Sequence, residues 1–184
     1  MWYVTVDSHF PTIMVTTILF GLYYAGVGIA LTLIGYFTGI DRSAAGGWFG
    51  YLSLPFLALF LWLAMKERKE DDYGGTMSYG QGVGTGVLVG VWSGIVMAIF
   101  IFAYFTRINP GMIDFTLAKQ EAAMQARQMD PTQISNAMAM AKKWFVPIAI
   151  VGSVLGSVFL ATLFSLLIAI FTRTNPAQEE IKAV

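Results

Sequence analysis

Four stretches of this sequence hold no charged side chain: residues 12–40, 48–65, 82–106 and 145–172. Roughly 20 predominantly apolar residues carry an α-helix across the hydrocarbon core of a bilayer, and helices satisfy all their backbone polar groups internally there. These runs therefore predict four transmembrane helices, with the one at 48–65 the shortest. Composition agrees, since 57% of the 184 residues are hydrophobic and 12% are charged, against about 25% charged in ordinary soluble domains.

The separators define the rest of the architecture. Asp41, Arg42 and Gly46-Gly47 form a short polar turn, and Pro55 falls inside the second run, where a kink is expected. Residues 66–72, KERKEDD, end that run and read as a solvated loop that also signals orientation; a lipid-headgroup site is the sharper alternative, but it usually needs a purer basic cluster. Asn109-Pro110-Gly111 is a turn signal. Residues 112–144 are the only long polar stretch, and Asp130-Pro131 reads as an N-cap followed by a first-turn proline, splitting it into two helices. In the second of these, Ile134, Ala137, Met138, Ala141 and Phe145 share one stripe. The expected fold class is thus an all-α membrane protein: a single membrane domain over 1–184, a four-transmembrane-helix bundle with a helical hairpin (112–144) between the third and fourth spans, and a short polar tail at 173–184. Met1–Phe10 lacks the basic region and cleavage site of a secretory signal, so the first span reads as a retained anchor.

Glycine spacing points to close helix contact. Gly82, Gly86, Gly90 and Gly94 repeat every four residues in the manner of a glycine zipper, Gly152 and Gly156 do the same on the fourth span, and Gly21, Gly28 and Gly35 recur at sevens on the first. Small residues at such spacing let helix backbones approach in a membrane. Helix packing outweighs a substrate groove as their explanation. The candidate interaction residues are these glycines on spans three and four, with Ile134 and Met138 in the hairpin.

Little here resembles catalysis. Net charge is zero, so nothing attracts nucleic acid, and the absence of Cys removes disulfides, thiolate metal sites and Cys nucleophiles. No ionisable residue falls within the four runs, which argues against a proton-coupled transporter, a voltage sensor or an intramembrane metal enzyme. His9 is the one histidine, and beside Asp7 it reads as solvated chain. The run GVGTG at 82–86 has neither dinucleotide nor Walker A spacing, and Ser93 between Gly90 and Gly94 misses the G-x-S-x-G elbow. No catalytic, cofactor-binding or metal-ligating residue is expected, and the chain is expected not to be an enzyme. Met124, Met129, Met138 and Met140 offer an adaptable surface on the hairpin, though packing is the commoner use of such residues. The dense Lys66–Lys69 cluster beside a span favours both termini in the cytoplasm.

Met77-Ser78-Tyr79-Gly80-Gln81 before a Gly-rich span, Asn109-Pro110 with Ile113-Asp114, and Met129 to Ile134 followed by Met138, Lys142, Lys143 and Pro147 together resemble the DUF4199 family, found mostly in Bacteroidota. The resemblance covers most of the chain and implies the inner membrane of a Gram-negative bacterium, with the hairpin in the periplasm and no catalytic residues to carry over. The first functional expectation is a non-enzymatic accessory or scaffold subunit of a larger inner-membrane complex. It would associate with membrane lipids and other integral membrane subunits through its glycine faces and hairpin. The second is a small transporter or lipid-handling protein acting alone or as a homo-oligomer; its sign would be a cavity between spans one, three and four lined by residues such as Gln81, Ser93, Ser153 and Ser157.

Overall fold

The computed structural model describes residues 9–43 and 45–174, with side chains from Met14 onward. Asp7, the side chain of His9 and most of the 173–184 tail lie outside the described residues. The chain is helical, and among the described residues four helices are long and apolar enough to cross a membrane. The protein is an all-α, four-helix membrane protein.

Helix α1 runs from His9 to Thr38. Gly39, in the left-handed region at φ 71°, ends it, a conformation glycine adopts without steric penalty. A one-turn 3-10 helix over Ile40–Arg42 follows. The second span is built from three pieces: a single turn, α2 (Gly46–Phe49), a 3-10 turn (Gly50–Leu52), and α3 (Ser53–Asp71). Pro55 therefore lies in the first turn of α3 rather than inside a kinked helix, at a position where a missing N–H leaves no intrahelical bond unmade.

The larger departure from expectation is at the other end of α3. The helix does not stop at Met65 but continues through the charged run to Asp71. Leu57, Leu61, Ala64, Met65 and Arg68 are its buried residues, one stripe at helical spacing. Residues 66–71 are thus the end of α3 and not a loop: Arg68 is buried in the bundle, while Lys66, Glu70 and Asp71 stay exposed.

Helix α4 (Tyr79–Ala103) begins with a reciprocal cap: the Ser78 hydroxyl accepts from the Gln81 N–H at 3.3 Å, and the Gln81 side chain accepts from the Ser78 N–H at 2.8 Å. Its last turn widens into a π-helical turn, Tyr104–Ile108. Helix α5 (Gly111–Ala126) is the first arm of the hairpin. The second arm is not separate: it and the fourth span are one helix, α6, of 42 residues from Pro131 to Thr172, passing through Pro147. Pro147 frees only the Lys143 carbonyl, at a level where Lys143, Trp144 and Pro147 are all exposed. Asp130 caps α6, its Oδ1 accepting from Thr132 N at 2.8 Å and Gln133 N at 3.2 Å.

Phe20, Leu57, Leu61, Ala64, Val89 and Ala161 form the main core, drawing on α1, α3, α4 and α6. The outer surface is strongly apolar, with Ile99, Leu155, Phe159 and Phe171 all well exposed. Such a surface is matched to lipid rather than water.

Candidate functional site

The glycine repeat of α4 is buried throughout, against α6 running the other way. A β-carbon built on Gly82 would stand 3.0 Å from Ala169 Cβ, one on Gly90 would stand 2.7 Å from Ala161 Cβ and 3.0 Å from Val158 Cα, and one on Gly94 would stand 3.0 Å from Val154 Cα. On Gly86 it would overlap Ser165. The facing small residues of α6 are therefore Ala161, Ser165 and Ala169. Gly152 and Gly156 take no part: a β-carbon on either meets nothing within 4 Å. Gly21 of α1 packs likewise onto α4, where an added β-carbon would stand 2.7 Å from Trp92 Cβ. In the hairpin, Ile134 is buried and Met138 half-buried, and both line a surface groove with Glu121, Gln125 and Met129.

At the end of the bundle where α3 finishes, Arg68 turns inward. Its Nε donates to Asp72 Oδ2 at 3.0 Å, Nη1 to Thr85 Oγ1 at 2.6 Å, and Nη2 to the Tyr73 hydroxyl at 2.8 Å. The Arg68 and Asp72 side chains are only 4% and 3% exposed. Nearby, Thr16 donates to Glu67 at 3.1 Å and Lys69 Nζ to the Thr172 carbonyl at 3.0 Å, so all four spans meet in this polar plug. Sequence reasoning missed it, although Arg68 and Asp72 extend the buried stripe of α3 by one and two turns.

The opposite end is built differently. The π-turn, closed by Asn109 N donating to Tyr104 O at 2.7 Å, brings Tyr104 and Asn109 side by side, 4% and 3% exposed. Asn109 Nδ2 donates to the Tyr104 hydroxyl at 2.9 Å, and both reach Asp41 Oδ2 at 3.4 Å. Asp41 Oδ1 is buried and has no hydrogen-bond partner among the described residues. Arg42 donates to Asn109 Oδ1 at 3.2 Å and its guanidinium stands 5.9 Å from the Phe115 ring centroid, directed toward α5.

Beneath this network lies a cleft of about 350 Å³, walled by α1, the start of the second span, α4, the first turn of α5 and one residue of α6. Gly28, Gly35, Gly46 and Gly50 are among its lining residues. Leu31, Met97, Ile101 and Met112 give it apolar walls, and Tyr24, Phe49, Tyr104 and Phe105 give it aromatic ones. Asp41 is the one charged residue among those lining it. Of the four residues expected to mark a cavity, Ser157 lines it, whereas Gln81, Ser93 and Ser153 do not; Ser93 is buried and donates to the Gly90 carbonyl. A concave, mostly apolar space with a few converging polar groups is the ordinary form of a small-molecule site, for which about 300–1,000 Å³ is usual. Among the described residues no three His, Asp or Glu side chains converge as metal ligands would.

The sequence model of a family described as "Protein of unknown function (DUF4199)" matches residues 19–174. The chain belongs to the DUF4199 family. The match takes in the cleft, the polar plug apart from Thr16, and the whole hairpin of this DUF4199 protein. No curated protein and no solved structure matches it.

Proposed function

We propose that this DUF4199 protein is a non-enzymatic membrane protein that holds a small amphiphile in the cleft beneath Asp41. The supporting observation is the pairing of an apolar, aromatic-walled cleft inside the span region with a carboxylate that keeps one buried oxygen unpartnered. This is the second of the two expectations. The accessory-subunit reading loses the Gly82 to Gly94 face, already filled by α6, and keeps Gly152 and Gly156, where an added β-carbon meets nothing within 4 Å. It keeps the hairpin, where Met140 and Trp144 are exposed at 67% and 50%.

One experiment separates the two. Protein solubilised gently from its native membrane and weighed by native mass spectrometry is expected to carry a small molecule, released on unfolding. Gly35→Leu is expected to lose it: a β-carbon at Gly35 makes only ordinary contacts, at 3.7 Å to Asp41 and Phe49, leaving the rest of the leucine to occupy the cleft. An empty native protein migrating with other membrane chains would overturn the cleft reading in favour of the accessory one.

We place both termini in the cytoplasm and the hairpin in the periplasm of the inner membrane, on the strength of the Lys66–Lys69 cluster. The cleft then sits in the outer half of the bilayer. Since the native chain has no Cys, Gln125→Cys gives a unique reporter on the exposed face of α5. An impermeant thiol reagent is expected to label it from the periplasmic side; labelling only after the inner membrane is broken would invert the topology.

A further inference from the structure

We infer that the cleft selects amphiphiles whose headgroup is a cationic, ammonium-type nitrogen. The inference rests on the cleft being a binding site and adds the chemical class of what enters it.

Its single charged lining residue is a carboxylate, so the cleft has a formal charge of one sign only. An ionised carboxylate accepts about four hydrogen bonds. Among the described residues Asp41 receives two, both long at 3.4 Å and both on Oδ2, and its Oδ1 receives none. The adjacent cation does not neutralise it: Arg42 is committed to Asn109 and the Phe115 face, and the ion pairs among the described residues are Arg68–Asp72 and Lys142–Asp114. Asp41 is half-buried, and a donor that also carries positive charge would stabilise its carboxylate more than its two long neutral donors do. The rings of Tyr24, Phe49, Tyr104 and Phe105 share the lining, and π-faces attract cations, quaternary ammonium groups included. An anionic headgroup would meet repulsion from Asp41, and a neutral one would leave the charge unpaired. The walls of Leu31, Met97, Ile101 and Met112 suit an alkyl chain.

The test uses the full chain in neutral maltoside micelles and three probes of equal chain length: decylammonium, decanol and decanoate. Binding is read as the difference between the native protein and Gly35→Leu, which removes partition into the micelle. Decylammonium is expected to bind at least about tenfold more tightly than decanol, and decanoate most weakly of the three, since hydrogen bonds to charged groups exceed neutral ones by about this factor. Asp41→Asn is expected to abolish that preference while still binding decanol in a way that Gly35→Leu abolishes, which also shows that the variant keeps a cleft. Equal affinity for decylammonium and decanol in the native protein, or a preference that survives in Asp41→Asn, would overturn the ammonium assignment and leave the cleft reading standing. Decanol binding unaffected by Gly35→Leu would remove the cleft reading itself, and the inference with it. Displacement of decylammonium by added phosphatidylethanolamine would assign the headgroup to a lipid, and no displacement would assign it to a free lipophilic amine; either supports the ammonium class.

Discussion

Replacing Arg68 with methionine is expected to remove about 3–5 kcal/mol from the stability of the bundle, the range found when one partner of a buried ion pair is deleted. The methionine fills most of the space of the arginine stem, so the loss is chiefly electrostatic. Asp72 would keep a carboxylate only 3% exposed, with one oxygen already unpartnered among the described residues, and would lose its ion pair with Arg68. Thr85 Oγ1 would also lose its shortest partner, although it still donates to the Gln81 carbonyl at 2.8 Å. Unfolding by sodium dodecyl sulfate in mixed micelles measures the effect. The companion variant Arg68→Met with Asp72→Leu is expected to recover most of the stability, because removing both charges leaves nothing buried and unpaired. A single-variant loss below about 1 kcal/mol, the scale of exposed pairs, would show that water reaches this pair.

The second large effect belongs to Gly90. Gly90→Leu is expected to cost about 3 kcal/mol, at the upper end of ordinary overpacking, because its first added carbon already meets α6 backbone at Val158 Cα, 3.0 Å away, and Ser157 O, 3.1 Å away. A flexible side chain could move aside; a helix backbone cannot without separating α4 from α6. Gly84→Leu is the matched control, on the same helix but with nothing within 4 Å of the new carbon, and is expected to stay within about 0.5 kcal/mol of the native protein. The same unfolding titration reads both. Equal losses at the two positions would show that the α4–α6 contact is looser than its geometry indicates.

The four spans were legible because charge is excluded from a hydrocarbon core whatever the tertiary fold, so runs without charge mark helices directly. The repeat from Gly82 to Gly94 was legible as a contact face for the same kind of reason, since few other roles need four glycines at one spacing. Its partner was not. Helix α6 carries small residues on two sides, Gly152 and Gly156 on one and Ala161, Ser165 and Ala169 on the other, and only the arrangement of the neighbouring helices decides which side turns inward. Arg68 was hidden by its sequence neighbours, because six other charged residues within 66–72 make the segment look solvated. The stripe from Leu57 through Leu61 and Ala64 to Arg68 was visible, but Thr85, the residue that makes burial of the guanidinium affordable, sits on another helix. The cleft was the least legible of all: Asp41 meets Asn109 and Tyr104 across more than sixty residues of chain.

The continuity of α6 through Pro147 has a mechanical meaning. At 1.5 Å per residue, residues 131–144 extend roughly 20 Å beyond the start of the apolar run, with no loop to absorb movement between them and the Gly-lined contact below. A tilt of α6 on α4 would carry α5 with it, tied through Lys142 and Asp114, and Met112 of α5 and Ser157 of α6 both line the cleft. From Val154, the outermost α6 residue facing the α4 glycines, to Pro131 the arm is roughly 35 Å, so a change of tilt of roughly ten degrees would displace the far tip by roughly 6 Å. Occupancy of a space inside the bilayer would in this way be converted into a displacement that can be felt outside it.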